Sequence, residues 1–226
     1  MRNSRLIGRS VAGIVFLLAV MGLALFLPGG GTFKLGWVYL SIFSGCVVLI
    51  TGYLFLCDKA LLQSRLAAGP VAERSALQRG IQSAASLTFI SIFVLSGIDH
   101  KSHWSTVPGW LSYACDFFCV LAFMLLFLVF KQNRFLSATI EVQEKQRVVS
   151  TGMYSIVRHP MYSIAIALMI FTPVALGSYW ALLPVAILTL LIVGRAMDEE
   201  RQLKRDLAGY EIYCRKVKYR MIPFVW

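Results

Sequence analysis

The chain has 226 residues, of which 58% are hydrophobic and only 15% are charged, and its mean hydropathy is +0.71. A soluble domain of this length needs far more polar surface, so the composition excludes that class and predicts an integral membrane protein. The net charge of +11 is explained by orientation in the membrane and by attraction to anionic lipid headgroups. It does not indicate binding to nucleic acid.

Six apolar runs are candidates to cross the hydrocarbon core, which takes ~20 residues of helix. In chain order they are residues 11–27, 35–57, 81–98, 109–130, 161–176 and 179–193. The first run is followed by another span, so we interpret it as a span and not as a cleavable signal peptide. The last two runs are short and are separated only by Gly177 and Ser178, which predicts a tight helical hairpin. The expected fold is a single all-α membrane domain of about six transmembrane helices.

The basic residues predict the orientation of these spans, because Lys and Arg concentrate beside cytoplasmic ends. With the N-terminus inside and all six runs crossing, only Lys34 and Lys101 of the 22 Lys and Arg residues lie outside. Both termini are therefore expected inside. We expect a multi-pass protein of the bacterial inner (plasma) membrane, with an active site on the cytoplasmic side.

Three segments outside the spans carry their own expectations. Residues 58–80 mix polar and apolar positions around a break at Gly69-Pro70, which favours a segment lying along the interface. Residues 194–219 include "DEERQLKRDL", where acids precede bases as on a helix surface, so we expect a cytoplasmic C-terminal helix that extends the sixth span. The tail "RMIPFVW" is predicted to return to the headgroups, with Trp226 as its anchor.

Two groups of ionisable residues lie away from these segments. Asp99, His100 and His103 could contact a metal, but no fourth ligand is visible, so a solvated loop without a metal is expected. Asp116 lies inside the fourth span, where ionisable side chains are costly. It is six residues from Trp110, so a functional role and snorkelling to the interface both stay open.

Polar residues cluster at the inner ends of the last two spans. The segment "QRVVSTGMYSIVRHPMY" leads into the fifth span, and "VGRAMDEERQL" follows the sixth. Because the hairpin reverses the chain, both segments lie on the same side of the membrane. We therefore expect their polar side chains to form one site.

The start of the fifth span is suited to an anionic group. His159 and Tyr162 are three residues apart and share a helix face, and Pro160 is typical of a first helical turn. The unpaired N–H groups of that turn can bind a carboxylate. At a wet helix end, His159 is expected to contribute little to folding.

The inner end of the sixth span adds charged groups. Arg195 and Glu199 are one turn apart, and Glu200 lies beside them. A carboxylate here can receive an ammonium, and the Arg lies near the lipid boundary. Taken singly, an Arg-His pair at a helix end is more typical of an interface anchor, and "DEER" of a solvated helix face. Taken together across the hairpin, they favour a functional site.

The stretches "GMYSIVRHPMY", "RAMDEE" and "GYEIYCRKVKYRMIP" together resemble the isoprenylcysteine carboxyl methyltransferase family. That family belongs to a wider group of membrane methyltransferases that includes the phospholipid N-methyltransferases. The resemblance covers about residues 133–226, while the four N-terminal spans in 1–132 match only in general character. It implies S-adenosylmethionine as the cofactor, held without a Rossmann domain, and the sequence indeed has no GxGxxG after a strand.

The resemblance also implies the cofactor-binding residues, which lie before the fifth span, in its first turn and at the end of the sixth. They are Gln146, Arg147, Val148, Val149, Tyr154, His159, Pro160, Met161, Tyr162, Glu199 and Glu200. Physical chemistry agrees with these roles. His159 and the tyrosine hydroxyls suit the carboxylate of the cofactor, Glu199 suits its ammonium, and the two valines suit its adenine.

Arg195 and Glu199 are the implied catalytic residues, and Arg195 is associated with the methyl acceptor. Methyl transfer from a sulfonium mainly requires alignment and exclusion of water. Arg195 suits an anionic acceptor, although an Arg can equally bind a phosphate headgroup. The acceptor is expected to be lipophilic, isoprenylcysteine-like or a lipid. Met153 and Ile164 depart from the family pattern, and Ile164 is expected to narrow the acceptor tunnel.

Two alternatives stay open. The segment "YCRKVKYRMIP" also resembles the end of the sterol reductases, which predicts an NADPH-dependent sterol or lipid reductase with Lys145 and Arg147 on the 2′-phosphate. The adjacent acids Glu199 and Glu200 argue against a polyanion at that place. The other alternative is a non-enzymatic lipid-binding membrane protein.

Overall fold

The computed structural model describes residues 2–66, 69, 73, 75–134 and 147–226, and the regular structure in these ranges is entirely helical. The predicted all-α class is thus confirmed. The α-helices are α1 (Arg2–Gly29), α2 (Lys34–Cys57), α3 (Lys59–Leu66), α4 (Ala76–Ser102), α5 (Gly109–Gln132), α6 (Pro160–Ala175), α7 (Leu182–Asp206) and α8 (Tyr210–Lys216). A 3-10 helix, Gly152–Ser155, precedes α6.

Four of the described helices, α1, α2, α4 and α5, are long and apolar enough to cross a membrane. They contain the first four predicted runs and confirm a membrane protein. The fifth run forms α6, which has 16 residues and is about 24 Å long at 1.5 Å per residue. The sixth run begins later than predicted, at Leu182, and continues into the long helix α7. These two helices form the predicted hairpin.

Asp99 lies near the end of α4 and links it to the hairpin. The prediction that Asp99 lies in a solvated loop is therefore wrong. Its carboxylate is buried and accepts hydrogen bonds from Ser105 N–H at 2.7 Å and Ser105 Oγ at 2.6 Å. The hydroxyl of Ser178, in the α6–α7 turn, donates to the same carboxylate. Asp99 is therefore a structural link between two helix ends.

A close approach of α1 and α4 fixes the packing of the N-terminal helices. A Cβ atom at Gly97 would collide with the main-chain oxygen of Leu25 and would lie 3.1 Å from Gly29 N. The main core forms around this contact and includes Met21, Phe33 and Leu25. Gly29 and Gly97 both lie near the C-terminal ends of their helices, and the two helices pack along each other. Helices α1 and α4 therefore run parallel.

Asp116 lies in α5 and is 4% exposed, so it does not reach the interface by snorkelling. Among the described residues, neither of its carboxyl oxygens has a hydrogen-bond partner. An ionised carboxylate in such a place is costly. The alternative of snorkelling is therefore wrong for this residue.

The C-terminal part differs from the predicted continuous helix. Helix α7 ends at Asp206, and α8 begins after Gly209. The break lets Leu207 pack with Tyr210, Tyr213 and Val217 in a small separate core. This core supports the segment after α8, which folds back onto the start of α6.

Candidate functional site

The turn before α6 is paired with the segment that follows α8. The N–H of Arg158 donates to Tyr219 O at 3.0 Å, and the N–H of His159 donates to Arg220 O at 2.8 Å. The guanidinium of Arg158 also donates from Nη1 to Val217 O at 2.8 Å. Two motifs that are 60 residues apart along the chain thus form one structural unit.

Glu200 is the ionic centre of this unit and is 3% exposed. Its Oε1 lies 2.6 Å from Arg158 Nε, and its Oε2 lies 3.0 Å from Arg220 Nε. Nε2 of His159 lies 3.4 Å from Oε1 but lacks the geometry of a hydrogen bond. Burial raises the pKa of Glu200, while His159, Arg158 and Arg220 lower it, to about 2. Glu200 is therefore ionised at neutral pH and holds the turn to the tail.

His159 is 6% exposed, so the expectation of a wet helix end is wrong. The reason is that the tail covers the turn, which the sequence of the turn does not indicate. The ring of His159 stacks on that of Tyr162, with centroids 5.6 Å apart. The predicted shared face of these two residues is found.

Glu199 points to a different neighbour from Glu200, since successive helical residues are about 100° apart. Its Oε2 accepts a hydrogen bond from Tyr162 Oη at 2.7 Å. The same hydroxyl accepts a hydrogen bond from Arg195 Nε at 3.3 Å. Glu199 is half-buried, and its donor, the hydroxyl of Tyr162, carries no charge. In contrast, two guanidinium groups compensate the negative charge of Glu200. The structure thus brings Arg195, Tyr162 and Glu199 together.

Arg195 is 8% exposed and has partners that the sequence reasoning missed. Its Nη2 lies 2.7 Å from Glu73 Oε1, and its Nη1 donates to Gln78 Oε1 at 3.1 Å. Gln78 in turn donates to the carboxylate of Asp198. A buried guanidinium requires such compensation. The sequence carried only a weak signal for this contact, since Glu73 is one of two acids, with Asp58, among the four basic residues of segment 58–80.

The residues predicted before the 3-10 helix are only partly described. Gln146 lies outside the described residues. Arg147 is exposed, and Val149 is half-buried. Val148 packs against the small core of α7 and α8, beside Leu203 and Cys214.

Tyr154 is buried between α5 and α8. Its hydroxyl accepts a hydrogen bond from Asn133 Nδ2 at 3.2 Å, and its main-chain oxygen accepts one from Tyr213 Oη at 2.7 Å. Burial raises the pKa of Tyr154, and the hydrogen bond from Asn133 lowers it by less, so that the pKa is about 12. Tyr154 is therefore a neutral donor and acceptor at physiological pH.

Gly152, two residues before Tyr154, is required by its surroundings. It has φ 61°, a conformation that strains residues with a Cβ. A Cβ here would lie 2.6 Å from Gln132 Oε1. That oxygen already accepts a hydrogen bond from Met153 N–H at 3.0 Å. Gly152, the first residue of the stretch "GMYSIVRHPMY", thus lets the segment pack on the end of α5.

Pro160 begins α6, as predicted. The sulfur of the next residue, Met161, accepts a hydrogen bond from Arg65 Nη1 at 3.6 Å. Arg65 also lies over the ring of Phe130, with 5.1 Å between the guanidinium carbon and the centroid. This places a residue of α3, another that the sequence reasoning did not assign to the site, beside the first turn of α6.

A cavity of about 650 Å³ extends from this cluster between the helices. Its polar end is formed by Arg65, Tyr162 and Arg195. Its walls are mostly apolar, with Gln82 and Ser86 of α4 as polar members, and come from α1, α4, α5, α6 and α7. They include Phe16, Leu17, Val20, Ile81, Ala85, Phe89, Ile90, Leu126, Phe130, Ala165, Met169, Leu188, Leu191 and Ile192. Among the described residues Ala165, not Ile164, lines this space, so the predicted narrowing by Ile164 does not apply to it.

Comparison with known proteins identifies two similarities. Residues 114–205 match the family model described as isoprenylcysteine carboxyl methyltransferase (ICMT) family. The chain is also 32% identical over 91 residues to Delta(14)-sterol reductase TM7SF2 of Mus musculus, an alignment that covers 39% of this chain and 22% of that protein. The chain thus spans less than a quarter of the length of this curated relative.

Proposed function

Because residues 114–205 are isoprenylcysteine carboxyl methyltransferase-like, we propose that this membrane protein is an S-adenosylmethionine-dependent methyltransferase. In this proposal it methylates a lipophilic acceptor at the cytoplasmic interface of a bacterial inner membrane. The observation that carries the proposal is the polar cluster of Tyr162, Arg195 and Glu199 at the end of a large apolar cavity. A polar donor and a lipophilic acceptor can meet there.

The residues present fit the proposed cofactor. Glu199 is half-buried and accepts a hydrogen bond from a neutral hydroxyl, so its charge is suited to the ammonium of the amino-acid part. The first turn of α6, which Pro160 begins, is suited to the carboxylate. Val149 and Val148 supply apolar surface for the adenine. When bound, S-adenosylmethionine supplies an electrophilic methyl group on its sulfonium.

Glu200 has a different role in this proposal from the one predicted. It is a positioning residue, since both of its oxygens are engaged by guanidinium groups. Through Arg158 it fixes the turn that carries His159. Glu199 remains the proposed cofactor ligand.

The acceptor is proposed to lie in the apolar cavity with its reactive group towards Arg195 and Tyr162. The ion pair with Glu73 holds the guanidinium of Arg195 in place and lowers the net positive charge at this end. This favours an acceptor with one negative charge or none over a phosphate dianion. A carboxylate or thiolate acceptor needs no general base, so the site has mainly to align it with the methyl donor.

Calorimetry with S-adenosylhomocysteine on the detergent-purified protein tests the proposal. Glu199→Gln is expected to weaken binding by about 10- to 150-fold, because a charge-assisted contact contributes on the order of 1.5–3 kcal/mol. Glu211→Gln is the matched control, since Glu211 is an exposed glutamate of α8 and its loss is expected to change nothing. Wild-type affinity in Glu199→Gln would place the binding site elsewhere.

The second candidate is an NADPH-dependent sterol or lipid reductase, favoured by the similarity to Delta(14)-sterol reductase. Arg147 is exposed and is available to a 2′-phosphate. Thermal shifts separate the candidates, because a ligand at a hundred times its Kd stabilises a fold by about 2.7 kcal/mol. Stabilisation by NADPH and not by S-adenosylhomocysteine would replace the methyltransferase with the reductase. Stabilisation by neither would favour a non-enzymatic lipid-binding protein.

A further inference from the structure

The last eight residues form a closed turn, which we call the tail turn (residues 219–226). The main-chain oxygen of Trp226 accepts hydrogen bonds from the N–H groups of Arg220, Met221 and Ile222 at 2.9, 3.0 and 3.1 Å. The N–H of Trp226 donates back to Ile222 O at 3.0 Å. The tail turn thus has a defined backbone.

The tail turn exposes large apolar side chains. Phe224 is 87% exposed and Val225 is 76% exposed, and Ile222 is also exposed. Trp226, predicted to be the anchor, is turned back instead, with the guanidinium of Arg220 5.1 Å from its ring. In water these exposed groups would carry an unfavourable hydration cost, so their surroundings are expected to be apolar.

Phe224 also has an unusual backbone conformation, with φ 65°. A bulky residue rarely adopts a positive φ, and such strain persists only where the surrounding structure imposes it. Here the ring of hydrogen bonds to Trp226 imposes it. The result is that the side chains of residues 224 and 225 project from the tip of the tail turn.

The tail turn lies where α6 begins. Its residues 219 and 220 pair with Arg158 and His159, and Ser163 Oγ in the first turn of α6 donates to Met221 O at 2.7 Å. Because α6 is mostly apolar from Ile164 onwards, directly after this first turn, the tip is expected near the level at which the helices enter the hydrocarbon.

Exposed cations precede the tip along the chain. Arg215, Lys216 and Lys218 are all exposed, and each basic residue near an anionic membrane surface is attracted to its headgroups. Apolar side chains beside basic ones are the combination that binds the boundary between headgroups and acyl chains. The partner that fits this surface is an anionic phospholipid bilayer.

We propose that the tail turn is a membrane anchor. It inserts Phe224 and Val225 into the headgroup region of the bilayer that holds the helices, while the three cations bind anionic headgroups. Through the pairing of residues 219–220 with 158–159 it also stabilises the turn that carries His159. This second part rests on the proposed function, because it makes cofactor binding depend on the lipid.

The depth of residue 224 tests the anchor independently of any cofactor. Phe224→Cys is labelled with an environment-sensitive fluorophore in a chain with Cys57→Ser and Cys214→Ser, and is reconstituted in nanodiscs of equal phosphatidylcholine and phosphatidylglycerol. Quenching by nitroxide-labelled lipids and protection from aqueous iodide are expected. Glu211→Cys, on the exposed face of α8, is the matched control and is expected to show the reverse. Equal iodide quenching at both positions would overturn the anchor.

Cofactor affinity in two lipid compositions tests the coupling. In the mixed nanodiscs the wild type is expected to bind S-adenosylhomocysteine more tightly than in pure phosphatidylcholine, by on the order of fivefold for about 1 kcal/mol of headgroup attraction. The triple variant Arg215→Gln, Lys216→Gln, Lys218→Gln, in which all three exposed cations are neutralised, is expected to lose this difference while keeping its melting temperature. An unchanged lipid dependence in the variant would overturn the coupling. No binding in either lipid would refute the proposed function and leave the depth result to decide the anchor.

Discussion

Replacing Glu200 with Gln removes the charge that joins the turn before α6 to the tail turn. The side chain of Glu200 is 3% exposed, and both of its oxygens contact guanidinium groups, at 2.6 and 3.0 Å. Its pKa is lowered from the ordinary 4.5 to about 2, and at 1.36 kcal/mol per unit this difference corresponds to about 3 kcal/mol of stability at neutral pH. Breaking a buried ion pair from one side costs a similar ~3–5 kcal/mol.

The assay is thermal unfolding of the detergent-purified protein as a function of pH. The stability from Glu200 is present above about pH 4.5 and is lost as pH falls towards about 2, because the folded pKa lies below the unfolded one. Glu200→Gln is expected to lower the melting temperature at neutral pH by roughly 6–12 °C. The difference in melting temperature between the variant and the wild type is expected to shrink in acid, because Glu200 of the wild type is then protonated and has also lost its charge.

Two further variants make this prediction specific. Glu211→Gln, on the exposed surface of α8, is expected to leave unfolding unchanged. Arg158→Met is expected to be destabilising alone, and less than additive when combined with Glu200→Gln, because the two side chains share one interaction. Additive effects, or a deficit that does not depend on pH, would refute the assignment of stability to this ion pair.

Three further predictions follow from other contacts. Gly97→Ala is expected to destabilise the protein by about 1–3 kcal/mol, since its Cβ meets the backbone of α1; Gly45→Ala, with open space around it, is the control, and equal melting temperatures would contradict the contact. Tyr162→Phe is expected to weaken S-adenosylhomocysteine binding by up to about tenfold, because the hydroxyl that bridges to Glu199 is lost; calorimetry would contradict this by showing wild-type affinity. Asp116→Asn is expected to stabilise the fold by about 1 kcal/mol, because among the described residues neither carboxyl oxygen of Asp116 has a donor and a neutral amide is less costly to bury than a carboxylate; a lower melting temperature would indicate a partner.

The sequence allowed the first four of the six predicted spans to be identified, because long apolar runs have one main explanation in a chain of this composition. It indicated helix ends less well. Helix α1 begins at Arg2 and α7 continues to Asp206, because a helix outside the bilayer needs no apolar residues. The predicted boundaries therefore follow the hydrocarbon and not the helices.

The members of the site were predictable, but their partners were not. Arg195 was predicted to bind the methyl acceptor, and no protein partner was predicted for it. In the structure it forms an ion pair with Glu73, which is 122 residues away along the chain. His159 was expected to be wet, and the tail turn covers it. No periodicity or local spacing carries such contacts. Short-range relations, such as Pro160 at the start of α6 and the shared face of His159 and Tyr162, were predicted correctly.

The two adjacent glutamates of α7 contact different partners. Glu200 faces the turn and the tail turn, and Glu199 faces Tyr162 at the end of the cavity. Within the matched residues 114–205 lie the proposed ligands of the cofactor, whereas Glu73 and Arg65 contribute to the cavity end from outside it. Since those two side chains modify the charge that an acceptor meets beside Arg195, we expect the part of the chain before residue 114 to influence the choice of acceptor, while the proposed ligands of the donor lie in the matched segment. Substitutions at residues 65 and 73 should therefore change which acceptor is methylated while leaving S-adenosylhomocysteine affinity intact. An equal loss of both would refute this division.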